Sequence, residues 1–260
     1  MVAGQALGDL LIHFVGAGPG AADLLTLRAA ALLKAADVVL YAGTYVEDEV
    51  LEHCSPGAAL IDTQHLDLDQ ITEALVVSAR QGKEVVRLCS GDPSVYSAIT
   101  EQTRRLDAAG VTWDVTPGVP AYAAAAAILG SELTVPELVQ TVVLTRTQKR
   151  STSMPASEAL ANTAAIQGSL VLHLGITRIR ELAEELAESY GADCPVAVVA
   201  FATKPNQVVV RGTLADIADQ VEPMGLKHTA LIIVSRALGV RDTEHCAESH
   251  LYDKARIRSV

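Results

Sequence analysis

Two short loops carry the residue types best suited to chemistry. Gly16-Ala17-Gly18-Pro19-Gly20-Ala21 follows one apolar run, and Ser90-Gly91-Asp92-Pro93 follows another. Glycine lets a backbone approach a bound molecule closely, and a strand-to-helix turn offers free N–H groups to it. Asp92 adds a carboxylate able to accept hydrogen bonds from a ligand's amino or hydroxyl groups. Its bland alternative is the cap of a helix that begins at Pro93. The first loop also reads as G-x-G-x-x-A, a dinucleotide fingerprint, which expects an acidic residue about 20 positions on. The chain offers Tyr41-Ala42-Gly43-Thr44 there and no acid after it until Glu47.

A third stretch, with Arg146, Lys149 and Arg150 beside Ser151, Thr152 and Ser153, suits the binding of carboxylates, or is an exposed basic loop. The seven histidines show neither HExxH nor paired spacing, so no metal site is expected. His173, in an otherwise apolar strand, reads as a buried and satisfied histidine rather than an acid or base.

The elements that must position these loops follow from periodicity. Apolar runs at 10–15, 37–40, 85–88 and 113–115 read as strands, and leucine and alanine spacing predicts helices over 23–36, 71–81 and 94–109. Strands alternating with helices imply a parallel sheet covered on both faces. Pro117-Gly118-Val119-Pro120 resists continuation of either element. Beyond it, an alanine-rich helix is expected at 121–127, strands at 141–145, 169–174, 196–201, 207–211 and 230–235, and helices at 179–190 and 214–221. The strands at 196–201 and 207–211 are close enough for a hairpin, which makes the second sheet mixed. The expected architecture is therefore α/β in two domains, 10–118 with a mostly parallel sheet and 119–238 with a mixed one, followed by a polar tail over 239–260.

Bulk composition narrows the function classes. Half of the 260 residues are hydrophobic but only 3% aromatic, so the cores must be aliphatic and alanine-rich. A net charge of -11 disfavours nucleic acid and anionic lipid as partners. Four cysteines without CxxC spacing fit reduced thiols. Residues 1–9 lack the pattern of a signal peptide, and no run approaches a membrane span, so a cytoplasmic protein is expected.

Taken in order, Val15-Gly16-Ala17-Gly18-Pro19-Gly20 with Leu24-Leu25-Thr26, then Gly91-Asp92-Pro93-Ser94-Val95-Tyr96, then Pro117-Gly118-Val119 resemble the tetrapyrrole methylase family over nearly the whole chain. The resemblance implies S-adenosylmethionine as cofactor, held in a cleft between two α/β domains, a tetrapyrrole substrate, and a homodimer. Tyr41-Ala42-Gly43-Thr44-Tyr45-Val46 and Gln140-Thr141-Val142-Val143-Leu144-Thr145-Arg146-Thr147 are similar to the members that methylate C11 of precorrin-4 and to their cobalt-precorrin counterparts. Ala42 stands where uroporphyrinogen methyltransferases usually carry an aspartate, which argues against that activity.

Carried over by position, the cofactor contacts are Pro19, Ser90, Gly91, Asp92, Val95, Tyr96, Pro120, Ala121, Leu174, Ala202, Thr229 and Ala230. The substrate contacts are Gly18, Tyr45, Arg146, Lys149, Arg150 and Met154. Tyr45, Tyr96 and Met154 would offer apolar contact to the macrocycle, or are ordinary packing. Pro120 replaces a common Thr, Leu174 a common Met and Ala202 a common Gly; the first change removes a hydroxyl ligand. No catalytic side chain is assigned, because S-adenosylmethionine carries an already activated methyl group. Methylation of another ring carbon, and a nucleotide-binding sensor without turnover, stay open as alternatives.

Overall fold

The computed structural model describes residues 11–147 and 153–242. The chain divides into two compact units after Ala124.

The first unit runs β1 (Leu11–Gly16), α1 (Leu27–Ala35), β2 (Val38–Tyr41), α2 (Asp48–Leu51), β3 (Ala59–Asp62), α3 (Leu68–Arg80), β4 (Val85–Cys89), α4 (Ile99–Ala108) and β5 (Thr112–Thr116). Its five strands are all parallel, in the order β3-β2-β4-β1-β5. Period-two alternation sends side chains to two separate cores. Ile12, Phe14, Leu40 and Val85 pack with Leu75 of α3 and Leu106 of α4, while Val15, Val39 and Leu88 pack with Leu33 of α1 and Val50 of α2. The sheet is thus covered on both faces, as alternating strands and helices require.

The second unit contains α5 (Ala121–Leu129), which runs across the division, then β6 (Val142–Arg146), α6 (Leu160–Ala164), β7 (Ser169–His173), α7 (Ile179–Tyr190), β8 (Pro195–Ala200), β9 (Val208–Thr213), α8 (Ile217–Val221) and β10 (Ala230–Val234). The strand order is β6-β7-β10-β8-β9; β6 and β7 are parallel and every other pairing is antiparallel. The mixed sheet and the β8–β9 hairpin are as the sequence implied. Leu170, Leu172, Val198 and Ile232 pack on Leu182 and Leu186 of α7 and Ile217 of α8.

The short helix α6 was not anticipated, and α8 starts at Ile217 rather than 214; three further departures have a local cause. The helix expected over 23–36 opens as a single 3₁₀ turn, Ala22–Leu24, and α1 starts only at Leu27, where the Thr26 hydroxyl accepts from the Ala29 amide at 3.1 Å. The helix expected over 94–109 starts at Ile99, because Tyr96 and Ala98 take left-handed φ values of 54° and 50° that no helix continues through. Strand β3 was not anticipated: three of its four residues are exposed, so the apolar run that announces a buried strand is missing.

Candidate functional site

The order of the first sheet places β4 beside β1 although the chain reaches it after β2 and β3, so the connections, which run from β1 toward β2 and β3, turn back at that parallel pair to reach β4 and β5. In open α/β sheets, crevices form outside the carboxyl ends of strands at such a point. The loops after β1, β4 and β5 all leave from this edge. Gly18 and Gly91 bridge the first two: the Gly18 amide donates to the Gly91 carbonyl at 3.1 Å and the Gly91 amide to the Gly18 carbonyl at 2.7 Å.

Three glycines make this approach possible. A Cβ built on Gly16 would meet the Gly118 amide nitrogen at 2.5 Å and its Cα at 2.6 Å, and one on Gly118 would collide with the Gly91 carbonyl. Gly91 itself, at φ +65°, has room: its nearest neighbours would be the Ala121 nitrogen at 3.8 Å and the Pro120 Cα at 3.9 Å. Gly16 and Gly118 are therefore required for backbone-on-backbone packing and Gly91 for its left-handed conformation. From the sequence, Gly118 reads as part of a domain boundary and of the Pro117-Gly118-Val119 family motif, with no packing role. What it does depends on β5 lying next to β1, a fact of topology rather than of local sequence.

Asp92 ties the loops together. Its Oδ2 accepts from the Gly118 amide at 2.9 Å, and its Oδ1 accepts from the Ser94 amide at 2.9 Å and from the Ser94 hydroxyl. Burial works to raise its pKa, but the Ser94 hydroxyl and the Ser94 and Gly118 amides outweigh that and hold the carboxyl below the usual carboxylate range. Asp92 is not the cap of α4, whose N-cap is Ala98. Its carboxylate closes the turn after β4 and clips it to the segment after β5.

Of the positions singled out from sequence, Gly18, Pro19, Ser90, Gly91, Asp92, Pro120 and Ala121 meet at this edge, and Val95 and Tyr96 extend the same loop. Tyr96 is half exposed. Tyr45 follows β2, the other neighbour of β4, and is also largely exposed. Cys89, beneath the loop, is buried, and burial pushes its thiol up to about 11, so it is no nucleophile.

A second cluster forms at one end of the second unit's sheet. Because β10 runs antiparallel to both β7 and β8, the residues after β7 and β8 and those before β10 share an edge. Leu174, Ala202, Thr229 and Ala230 lie there, with the Phe201 amide donating to the Thr229 carbonyl at 2.8 Å. Leu174, Phe201, Thr203 and Thr229 all have φ between 51° and 64°. Left-handed non-glycine residues are uncommon and gather at functional sites. Leu174 is 65% exposed despite its apolar side chain. Arg146 ends β6 at this edge, in register with His173. His173 Nδ1 lies 3.3 Å from the Thr145 carbonyl; burial pushes the imidazole's pKa down, against the opposing effect of its hydrogen bonds to the Thr145 and Val171 backbone. Thr147 Oγ1, close to Gly175, is buried without a hydrogen-bond partner among the described residues, a group the sequence reading did not single out. Met154 lies among the described residues, while Lys149 and Arg150 fall outside them.

Comparison with known proteins was made against this geometry. Residues 11–218 match the model of the Tetrapyrrole (Corrin/Porphyrin) Methylases. A precorrin-4 C(11)-methyltransferase of Rhodococcus erythropolis is 51% identical over 96% of this chain and 99% of its own length. The X-ray structure of a cobalt precorrin-4 methyltransferase superposes with a TM-score of 0.85 at 37% identity, covering 88% of this chain and 96% of that one. The uroporphyrin-III C-methyl transferase of Thermus thermophilus, in complex with S-adenyl homocysteine, gives 0.74 at 30% identity, covering 90% and 100%. With a family model spanning most of its length and a relative identical at half its positions, the chain belongs to the tetrapyrrole (corrin/porphyrin) methylases.

Proposed function

We propose that this protein transfers a methyl group from S-adenosylmethionine to C11 of precorrin-4, giving precorrin-5 and S-adenosylhomocysteine in cobalamin biosynthesis. The observation that carries the reading is the glycine-lined edge where the loops after β1, β4 and β5 meet: it combines close backbone approach with a carboxylate-fixed turn. Such a cradle fits a cofactor bound mainly through backbone groups, and the exposed, conformationally constrained Leu174 fits its apolar part. The substrate assignment follows the relative at 51% identity, a precorrin-4 C(11)-methyltransferase.

When bound, S-adenosylmethionine supplies a methyl group already activated on a sulfonium, so the protein's task is alignment and exclusion of water. The candidate cofactor contacts are Pro19, Ser90, Gly91, Asp92, Val95, Tyr96, Pro120, Ala121, Leu174, Ala202, Thr229 and Ala230. Asp92 keeps its loop in shape before any ligand arrives. Arg146, Lys149 and Arg150 pair with the acetate and propionate carboxylates of the macrocycle, which an acidic protein must neutralise locally. Gly18, Tyr45 and Met154 line its path. Ala42, with only a methyl side chain, provides no base in the loop after β2.

We place the enzyme in the cytoplasm as a homodimer. The support is the family resemblance, the free thiols of Cys54, Cys89 and Cys194, and the fact that no described helix is long and apolar enough to cross a membrane. The test is incubation of purified protein with methyl-labelled S-adenosylmethionine and precorrin-4. A new methyl resonance at C11 is the expected result, and a methyl at another carbon overturns the assignment. Tight cofactor binding without product favours a sensor module. Light scattering on the same preparation reads the dimer.

A further inference from the structure

The first unit carries a buried arginine outside the glycine-lined edge. Arg87 lies in the middle of β4, in the apolar series Val85-Val86-Arg87-Leu88-Cys89, and is 9% exposed. Period two turns it toward the same core as Val85 and Cys89, between Phe14 and Leu40 in the sheet register. A guanidinium taken out of water calls for a carboxylate partner, yet none of the described ion pairs includes Arg87. Its partners are two neutral side chains that are themselves buried. Nε donates to Gln102 Oε1 at 3.0 Å and Nη1 donates to Thr63 Oγ1 at 3.3 Å, with Gln102 2% and Thr63 5% exposed.

Both partners pass the constraint on to loops. With its oxygen taken by Arg87, Gln102 turns its amide nitrogen to the carbonyls of Ala98 at 3.1 Å and Ser97 at 3.5 Å, the end of the turn that begins at Asp92. Only this orientation matches donor to acceptor on both sides. The Ser97 hydroxyl in turn donates to the Asp92 and Val95 carbonyls, both at 3.3 Å. On the other side, the Thr63 hydroxyl donates to the Tyr41 carbonyl at 3.0 Å, and the Thr63 amide donates to the same oxygen at 2.7 Å. Tyr41 opens the loop that contains Tyr45, and that loop is fastened again where the Gly43 amide donates to Asp62 Oδ1 at 2.9 Å and the Thr44 hydroxyl to Gln64 Oε1 at 3.3 Å.

We infer that Arg87 is a positioning residue that couples two loops, setting residues 92–98 through Gln102 and residues 41–45 through Thr63, so that one buried guanidinium keeps the cofactor-side and substrate-side loops in register. The inference rests on the proposed function for the names of the ligands, but not for the network itself. A lone structural arginine would need one carboxylate. Two neutral partners, each anchored to loop carbonyls, fix two segments that are remote in sequence and flank β4.

The experiment uses the full chain and three substitutions. Arg87→Met removes the hub, Thr63→Val the branch to residues 41–45, and Gln102→Leu the branch to residues 92–98. Hydrogen exchange on the ligand-free protein reads the network directly. Faster exchange in both loops is expected for Arg87→Met, in 41–45 alone for Thr63→Val, and in 92–98 alone for Gln102→Leu. Steady-state kinetics should follow the same partition, with KM for both reactants raised about tenfold by Arg87→Met and one KM raised by each branch substitution. If Arg87→Met does not fold, Gln102→Glu replaces it: it keeps an acceptor for Arg87 and loses only the donation to Ser97 and Ala98, so 92–98 alone should loosen. Unchanged exchange in both loops, or the same uniform increase throughout the unit in every variant, overturns the coupling. Failure of the wild-type protein to bind S-adenosylmethionine in calorimetry would overturn the proposed function instead, and the exchange patterns would still decide the network.

Discussion

The two units build the edges that carry their candidate site residues by different means. In the first, a parallel sheet brings three loops so close together that only glycine fits at Gly16 and Gly118, and the loops are then held by backbone hydrogen bonds and one carboxylate. In the second, side-chain-bearing residues at Leu174, Phe201, Thr203 and Thr229 are held in left-handed conformations that they disfavour. Left-handed side-chain-bearing residues occur in both units, Tyr96 and Ala98 among them in the first, but the backbone-on-backbone glycine packing belongs to the first edge. The difference predicts that adding a methyl group is harmful at the packed glycines of the first edge, whereas removing a side chain is tolerated at the exposed left-handed Leu174 of the second.

The largest effect expected is that of Gly16→Ala. Its Cβ would lie 2.5 Å from backbone that cannot rotate away, so a loss of about 3 kcal/mol or more is expected, read as a lowered urea midpoint. Gly91→Ala, where space exists and only φ is unfavourable, should lose about 1 to 2 kcal/mol. Equal losses at the two positions would remove the distinction between close packing and conformation.

Next comes a buried hydroxyl pair in the second unit. Ser169 Oγ donates to the Leu133 carbonyl at 2.6 Å, so at its 2.6 Å contact with Ser235 Oγ it must be the acceptor. Ser169→Ala leaves the Leu133 carbonyl without this donor and the Ser235 O–H without its acceptor, although Ser235 Oγ still accepts from the Ala237 amide at 3.0 Å, and should destabilise by about 2 kcal/mol in chemical denaturation.

A smaller effect, tied to pH, is expected at Asp92. Its folded pKa is depressed, so the stability it contributes is present above the unfolded value of about 4 and is lost as pH falls through the folded pKa. Asp92→Asn should therefore be less stable than wild type at neutral pH, with the gap closing as pH falls below about 4. A gap that stays constant from pH 7 to pH 3 would show that hydrogen-bond geometry, not charge, holds the turn.

The smallest change is expected for Leu174→Gly. Relief of the left-handed backbone offsets the extra freedom of the unfolded chain, so stability should change by less than about 1 kcal/mol in either direction. If Leu174 contacts the cofactor as proposed, KM for S-adenosylmethionine should rise while the melting temperature holds. A large loss of stability would mean that the exposed leucine is packing rather than poised for a ligand.

Much of this contrast was legible in the sequence because it is local. Apolar runs ending in glycine loops marked β1 and β4, and the short spacing between β8 and β9 marked the hairpin. What escaped was set by tertiary neighbours. The segment 94–98 has helix-compatible residues, and only the Asp92 and Ser97 hydrogen bonds show why it turns instead. Gly118 looked like punctuation until β5 was paired with β1. Arg87 left one trace, a charge at an inward position of an otherwise apolar strand, which period two could have flagged. The left-handed residues of the second unit leave no trace in composition at all.

Cys89, under the glycine loop, has a consequence for the chemistry proposed above it. A sulfonium methyl group is an electrophile, and a thiolate is among the strongest nucleophiles a protein can offer. Burial pushes the Cys89 thiol up to about 11, which favours the neutral thiol over the thiolate. In the reaction proposed here, the same apolar packing that supports the loop disfavours transfer of the methyl group to the protein's own sulfur.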